Sequence, residues 1–177
     1  MKCSALPGGP KELTGILLVG GASRRFGSPK ALARFEGETL AERAWRLLGE
    51  ACDERVAVGR LDGLAFPALE DNGTGPVAAI AAGLRGAVHD VAVVVPVDMP
   101  LLTADALGLL ADACRDAAVA QAGPLPCAVA RAALPAFEAG ERRLRTVLDG
   151  LDTARVELEE RLLANVNTRA DLDTLTR

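Results

Sequence analysis

The chain has 177 residues, half of them apolar and a quarter charged, with a net charge of −4. That balance suits one globular domain with a real core. It excludes the strongly basic character of a general nucleic-acid binder but leaves room for a local nucleotide site.

No run approaches the ~20 apolar residues of a membrane span, so neither nucleic acid nor membrane is expected as a partner. Cys3, Cys52, Cys114 and Cys127 form no C-x-x-C pair, and His89 is the sole histidine. A structural zinc site is therefore not expected, and the thiols suit a reducing, cytoplasmic setting. His89 lies in the turn 87–90 and reads as a surface histidine rather than a catalytic one. Residues 1–11 contain Pro7, Gly8, Gly9 and Pro10 and lack the apolar run of a signal peptide. They read as a flexible arm ahead of a single domain over 12–177.

Residues 16–19 are a short apolar run of the kind a buried parallel strand shows. Gly20, Gly21 and Gly27 follow, with Ser23, Arg24, Arg25 and Lys30 in the same loop. Glycines let backbone N–H groups approach a phosphate, and the three cations add full charge, so this unit reads as a polyphosphate cradle. It is not a P-loop, because Pro29 precedes Lys30 and Ala31 follows it. It is not a dinucleotide fingerprint either: the glycine spacing is wrong and Pro29 would interrupt the helix. The chain has only three lysines, and the other two, Lys2 and Lys11, lie in the arm. Lys30 is thus the one compact ammonium of the body, suited to contact a phosphate as a point charge.

Residues 31–35 read as extended and 36–38 as a turn. Thr39 and Glu42 form a capping-box pattern that opens a helix over 40–51, with Leu40, Ala44, Leu47 and Leu48 on its buried face and Trp45 beside them. A strand over 55–58 ends at Gly59. A third strand over 64–69 delivers Asp71 in a polar loop, and Pro76 opens an Ala/Gly-rich helix to 86. Residues 91–95, four valines in five positions, are a strand leading to Asp98. A carboxylate just past a buried strand commonly holds a divalent cation against a phosphate; Thr103, not Asp98, is placed to cap the helix over 104–114.

Further on, a strand is expected over 117–120, a turn at 121–124, an extended segment over 125–130 and a helix over 131–138. A helix opening at 140–145 and running to 148 carries Arg142, Arg143 and Arg145, either an anion patch or a solvated face. Residues 155–157 read as a strand. Asn165 and Asn167 precede a closing helix over 170–175 capped by Thr168, and they can make turns or present amides to a ligand. Alternating strands and helices predict an α/β fold, a three-layer αβα arrangement around a mostly parallel sheet. Right-handed crossovers then bring the 20–30 loop, Asp71 and Asp98 to one edge.

Residues 17–27 (Leu17-Leu18-Val19-Gly20-Gly21-Ala22-Ser23-Arg24-Arg25-Phe26-Gly27), with Lys30, resemble the loop of the nucleotidyltransferases that activate sugars and cofactors. Gly75-Pro76-Val77-Ala78-Ala79-Ile80, Asp98-Met99-Pro100-Leu101, Pro124-Leu125-Pro126-Cys127-Ala128-Val129, Ala139-Gly140-Glu141-Arg142-Arg143 and Asn165-Val166-Asn167-Thr168 narrow the resemblance to the molybdenum cofactor guanylyltransferases. The resemblance implies a Rossmann-like nucleotidyltransferase fold. It implies transfer of GMP from GTP to the molybdopterin form of the molybdenum cofactor, with release of pyrophosphate. By the same resemblance GTP contacts Leu18, Val19, Gly20, Gly21, Lys30, Asp71 and Asp98, and Asp98 binds Mg²⁺. Arg24, Arg25, Lys30 and Asp98 are then the catalytic set, and Arg142, Arg143, Asn165 and Asn167 the molybdopterin contacts. A monomeric cytoplasmic enzyme is expected, with cofactor-handling proteins as further partners.

Two positions depart from the pattern. Members often carry Asp just before the loop lysine, where Pro29 stands here, and many carry Asn after the second strand, where this chain has Gly59. Guanine selectivity is therefore less fixed by the sequence than nucleotidyl transfer. Cytidylyl transfer to the same cofactor, GTP transfer to another phosphorylated acceptor, and nucleotide binding without turnover stay open as alternatives.

Overall fold

Apolar runs of four to six residues, interrupted by capped amphipathic stretches, build the computed structural model, which describes residues 12–20, 29–60, 62–70 and 75–175. In chain order the elements begin with β1 (Leu13–Leu18), a 3₁₀ turn (Lys30–Leu32), the hairpin β2 (Arg34–Phe35) and β3 (Glu38–Thr39), and α1 (Leu40–Ala51). β4 (Glu54–Val58), β5 (Ala68–Leu69), α2 (Pro76–Gly86), β6 (Val91–Pro96) and α3 (Ala104–Ala113) follow. The last third holds β7 (Ala117–Ala120), β8 (Cys127–Ala130), α4 (Leu134–Glu138), α5 (Leu144–Asp149), β9 (Thr153–Val156) and α6 (Arg169–Leu175).

The main sheet has seven strands in the order β5-β4-β1-β6-β8-β7-β9. β8 runs antiparallel to both of its neighbours; the remaining pairs are parallel. From β1 the chain moves outward to β4 and β5, then returns to the other side of β1 at β6. Such a reversal opens a crevice beyond the carboxyl ends of β1 and β6, where open α/β sheets bind their ligands. His89 lies at the opposite edge, just before β6, with its backbone N–H donating to Thr14 Oγ1.

The strand period of two decides the layers. Leu17, Val93 and Val95 pack with Leu47, Leu48, Leu107 and Leu110 of α1 and α3 on one face. Ile16, Leu18 and Val94 pack with Ile80, Leu84, Phe137 and Val147 of α2, α4 and α5 on the other. Each fully buried Leu, Ile or Val contributes about 1.5–3 kcal/mol. Gly83 lets α2 lie close on the sheet, since a Cβ there would be 2.7 Å from Ile16 Cδ1. α1 starts as its sequence dictates: Thr39 Oγ1 accepts from the Glu42 N–H at 3.1 Å, and Glu42 Oε2 accepts from the Thr39 N–H at 2.8 Å.

Some local expectations shift. The segment 64–69 pairs only at Ala68–Leu69, because Phe66 turns away to stack on Trp45 with ring centroids 4.3 Å apart. Residues 30–32 make a 3₁₀ turn rather than an extended start. The helix expected from 140 begins only at Leu144, because Glu141 Oε1 accepts the backbone N–H groups of Arg142 and Arg143 and holds them ahead of it. Among the described residues no helix is long and apolar enough to cross a membrane.

Candidate active site

The crevice is set by strand register. Leu18, last in β1, stands between Val58 of β4 and Pro96 of β6. The next residue, Val19, donates its N–H to Val58 O at 3.0 Å. Leu18 and Val19 are buried, while Gly20 is exposed. Gly59 has φ +134°, and a Cβ there would lie 2.5 Å from Gly20 N and 2.9 Å from Gly20 Cα. The end of β4 and the start of the glycine loop thus meet backbone to backbone. A side chain at position 59 has no room here.

Two residues past β6, Asp98 meets Lys30 Nζ at 2.9 Å, with side-chain exposures of 22% and 16% respectively. Lys30 also donates to Asn167 Oδ1 at 3.3 Å. The Asn165 amide is assigned with its nitrogen toward Asp98, since the opposite orientation sets its oxygen against acceptors. It then donates to Asp98 Oδ1 at 2.9 Å, Oδ2 at 3.2 Å and the backbone O at 3.3 Å. The Val166 N–H donates to the same backbone oxygen at 2.8 Å.

Residues 165–167 therefore wrap Asp98, and Asp171 secures them. Asp171 Oδ2 accepts from the N–H groups of Asn167 at 2.7 Å and Thr168 at 2.8 Å, and Thr168 Oγ1 accepts in return from Asp171 N at 3.3 Å. The Asn167 and then the Thr168 N–H groups hold the Asp171 carboxyl below its usual range, with the Lys30 charge adding to them. Asp171 was not foreseen as a site residue, although Thr168-x-x-Asp171 is a reciprocal-cap pattern readable in the sequence.

Magnitudes indicate what this cluster is for. An exposed ion pair contributes about 0–1 kcal/mol, and a buried one is often no better than an apolar pair of the same volume. A carboxylate and an ammonium drawn mostly out of water, each with amide partners, gain little stability from that placement. Such groups are instead typical of functional crevices.

Among the described residues no group of three or more His, Cys, Asp and Glu is placed to hold a metal ion. Asp98 alone fits a cation that takes one or two carboxylates and completes its shell with substrate phosphates, as Mg²⁺ does. Arg142 and Arg143 are exposed ahead of α5, and no hydrogen bond or ion pair among the described residues joins them to the Lys30–Asp98 cluster. Gly21, Arg24, Arg25 and Asp71 lie outside the described residues, as does the arm 1–11. Beside Gly59 opens a hollow of about 540 Å³, lined in part by Arg60, Asp62, Phe66 and Glu70.

The family model described as the MobA-like NTP transferase domain matches residues 15–157. The chain belongs to the MobA-like NTP transferase family. A Mycobacterium marinum relative named "Probable molybdenum cofactor guanylyltransferase" is 36% identical over 192 residues, covering 94% of each chain. A relative of the same name from Deinococcus radiodurans is 35% identical over 182 residues, covering 93% of this chain and 94% of its own. Among solved structures, molybdopterin-guanine dinucleotide biosynthesis protein A from Archaeoglobus fulgidus superposes with a TM-score of 0.76 at 24% identity. That match covers 91% of this chain and 95% of the other, and it bears on the fold. The chain is a nucleotidyltransferase with a Rossmann-like sheet, and its family works in molybdenum cofactor biosynthesis. The family match ends at residue 157, so Asn165, Asn167 and Asp171 come to the site from beyond it.

Proposed function

We propose that this MobA-like transferase moves GMP from GTP to the molybdopterin form of the molybdenum cofactor and releases pyrophosphate. The observation that carries the reading is the Lys30–Asp98 pair at the β1/β6 crevice, held by Asn165 and Asn167, in a chain whose curated relatives bear the guanylyltransferase name. An oxygen of the acceptor's terminal phosphate attacks the α-phosphorus of GTP. The new P–O bond forms as the bond to the β-phosphate bridge oxygen breaks, and the electron pair leaves with pyrophosphate. An ionised phosphate needs no side chain to take its proton, so positioning and charge neutralisation dominate.

Leu18, Val19 and Gly20 present backbone to the nucleotide. Lys30 turns its ammonium onto phosphate oxygens as charge moves to the leaving group, while Asn165 keeps the Asp98 carboxylate oriented. Asp98 would hold Mg²⁺, which when bound neutralises phosphate charge. Arg24, Arg25, Gly21 and Asp71 belong to the nucleotide side in this reading. Arg142 and Arg143, exposed ahead of α5, are free to take the acceptor's anionic groups, with Asn165 and Asn167 at the junction of the two substrates.

The test is pyrophosphate release from GTP, CTP or ATP, each with Mg²⁺ and molybdopterin, in the intact chain and in Lys30→Ala. Turnover with GTP, lowered on the order of 10²–10³-fold by the substitution, is the expected result. Preference for CTP would move the assignment to cytidylyl transfer. GTP binding without pyrophosphate release would leave a nucleotide-binding protein.

A further inference from the structure

Lys30, Asp98 and the Asn165–Asn167 segment come from three distant parts of the chain, and Arg43 touches what holds all three. It projects from α1 with 23% of its side chain exposed. Its Nε donates to Pro100 O at 2.7 Å, two residues beyond Asp98. One terminal nitrogen lies 3.0 Å from Glu36 Oε2 in the β2–β3 turn, on the segment that begins with Lys30. The guanidinium carbon lies 5.0 Å from the centroid of the Phe35 ring. Phe35 in turn packs in one buried cluster with Leu40, Val166 and Leu172, with Leu101 against it. Val166 is the residue whose N–H holds the Asp98 carbonyl.

We infer that Arg43 is a positioning residue for the transfer reaction: it fixes the Asp98–Pro100 loop against the Lys30 segment and, through Phe35 and Val166, against the asparagine segment. The inference rests on the proposed transferase reading for its kinetic consequence, though not for its structural one. A helix-surface arginine with only a stability role would use its charge on neighbouring carboxylates, as Arg46 does with Glu38 and Glu50. Arg43 pairs with Glu36 and, at 3.9 Å, with Glu38, but unlike Arg46 it also spends a directed N–H on the carbonyl of the catalytic loop. The planar fork reaches Pro100 O and Glu36 from two separate nitrogens in fixed geometry, whereas an ammonium has one nitrogen to place between them.

The experiment compares the intact wild-type chain with Arg43→Met, Arg43→Lys and Val147→Ala, the last a destabilising control in the opposite core layer. Hydrogen exchange at the Val166 amide needs no substrate. In Arg43→Met its protection is expected to fall about tenfold more than that of the β1 amides, the factor that loss of one charge-assisted hydrogen bond gives. Val147→Ala should show no such local excess, and Arg43→Lys should recover part of the protection. In the transfer assay Arg43→Met should lower kcat on the order of 10²-fold, the effect of a misplaced reacting group, with KM for GTP within about threefold.

Exchange at Val166 that tracks global stability equally in Arg43→Met and Val147→Ala overturns the inference. So does an unchanged kcat in a folded Arg43→Met chain. A wild-type chain that neither binds nor turns over nucleotide refutes the transferase reading instead, while the exchange result still decides whether Arg43 holds the loop.

Discussion

Gly59 follows β4 and meets the backbone of Gly20, and its geometry makes a prediction with an unexpected sign. An asparagine at this strand end, Gly59→Asn, would ordinarily be designed to add a nucleotide contact. Here the backbone has φ +134°, a region that costs a non-glycine residue about 1–3 kcal/mol. The new Cβ would stand 2.5 Å from Gly20 N and 2.9 Å from Gly20 Cα. Both are backbone atoms, so no rotamer change relieves the contact, and forced displacement of packed atoms costs about 1–3 kcal/mol more. A total of roughly 2–6 kcal/mol, at about 2–4 °C per kcal/mol for a chain of this size, lowers Tm by about 4–24 °C. In the proposed binding mode Gly20 presents its backbone to GTP, so GTP affinity should fall with stability. Gly59→Ala carries the same Cβ and should cost nearly as much. Calorimetric unfolding and GTP titration of the three chains decide the matter. An asparagine variant as stable as wild type with tighter GTP binding would refute the steric account and show that position 59 can hold a nucleotide contact.

Asp98→Asn removes a carboxylate whose pair lies between the exposed and buried cases, so stability should fall by about 1–2 kcal/mol while turnover falls at least about 10²-fold. Without divalent cations its GTP affinity should equal or exceed wild type, since in the proposed mode a negative charge beside the triphosphate is gone; turnover within threefold of wild type would sink the assignment. The carboxyl of Asp171 is held below its ordinary 3.8, so its contribution is complete above that value and is lost as pH falls through the lower folded-state value. Unfolding curves of Asp171→Asn and wild type should therefore differ at neutral pH and converge in acid below 3.8; a constant difference across that range would exclude the charge as the cause. Trp45 is the only tryptophan and there is no tyrosine, and Phe66, which lines the hollow beside Gly59, stacks on it. Saturating GTP should change the Trp45 emission, and Phe66→Leu should abolish the change; a silent signal at calorimetrically proven saturation would rule out nucleotide contact with that loop.

What the sequence disclosed was local in origin. The Thr39–Glu42 box, Pro76 at the start of α2 and the valine run of β6 each follow from neighbours within a turn or a strand, and the structure reproduces them. The reversal of β8 does not follow from its residues, since Cys127 to Ala130 are as apolar as any parallel strand. It follows from the link 120–126, which joins paired Val119 and Cys127 and is far shorter than the dozen or so residues a parallel crossover needs. The short pairing of β5 was hidden for a different reason: Phe66 prefers the face of Trp45, a contact that no periodicity records.

The site divides along the same line. Lys30 and Asp98 could be singled out because residue type and position after a strand carry chemical meaning on their own. Their partnership could not, because it joins residues 68 apart in sequence, and the contact to Asn167 spans 137. The asparagines looked equally suited to turns or to ligand, and only the folded edge shows that they face the pair. Arg43 left no trace in the sequence, since on α1 it reads as one more solvated arginine beside Arg46. Both meet carboxylates near their own helix, and of the two Arg43 also meets a carbonyl that only the β1/β6 crossover brings within reach. The sheet is therefore specified strand by strand, whereas the crevice's chemistry needs the loop after β1, the loop after β6 and the segment after β9 assembled together. A fold of this kind can keep its sheet through substitutions that uncouple those three segments, which is why changes at Arg43, Asp98 and Asp171 should separate activity from stability more sharply than changes in the core.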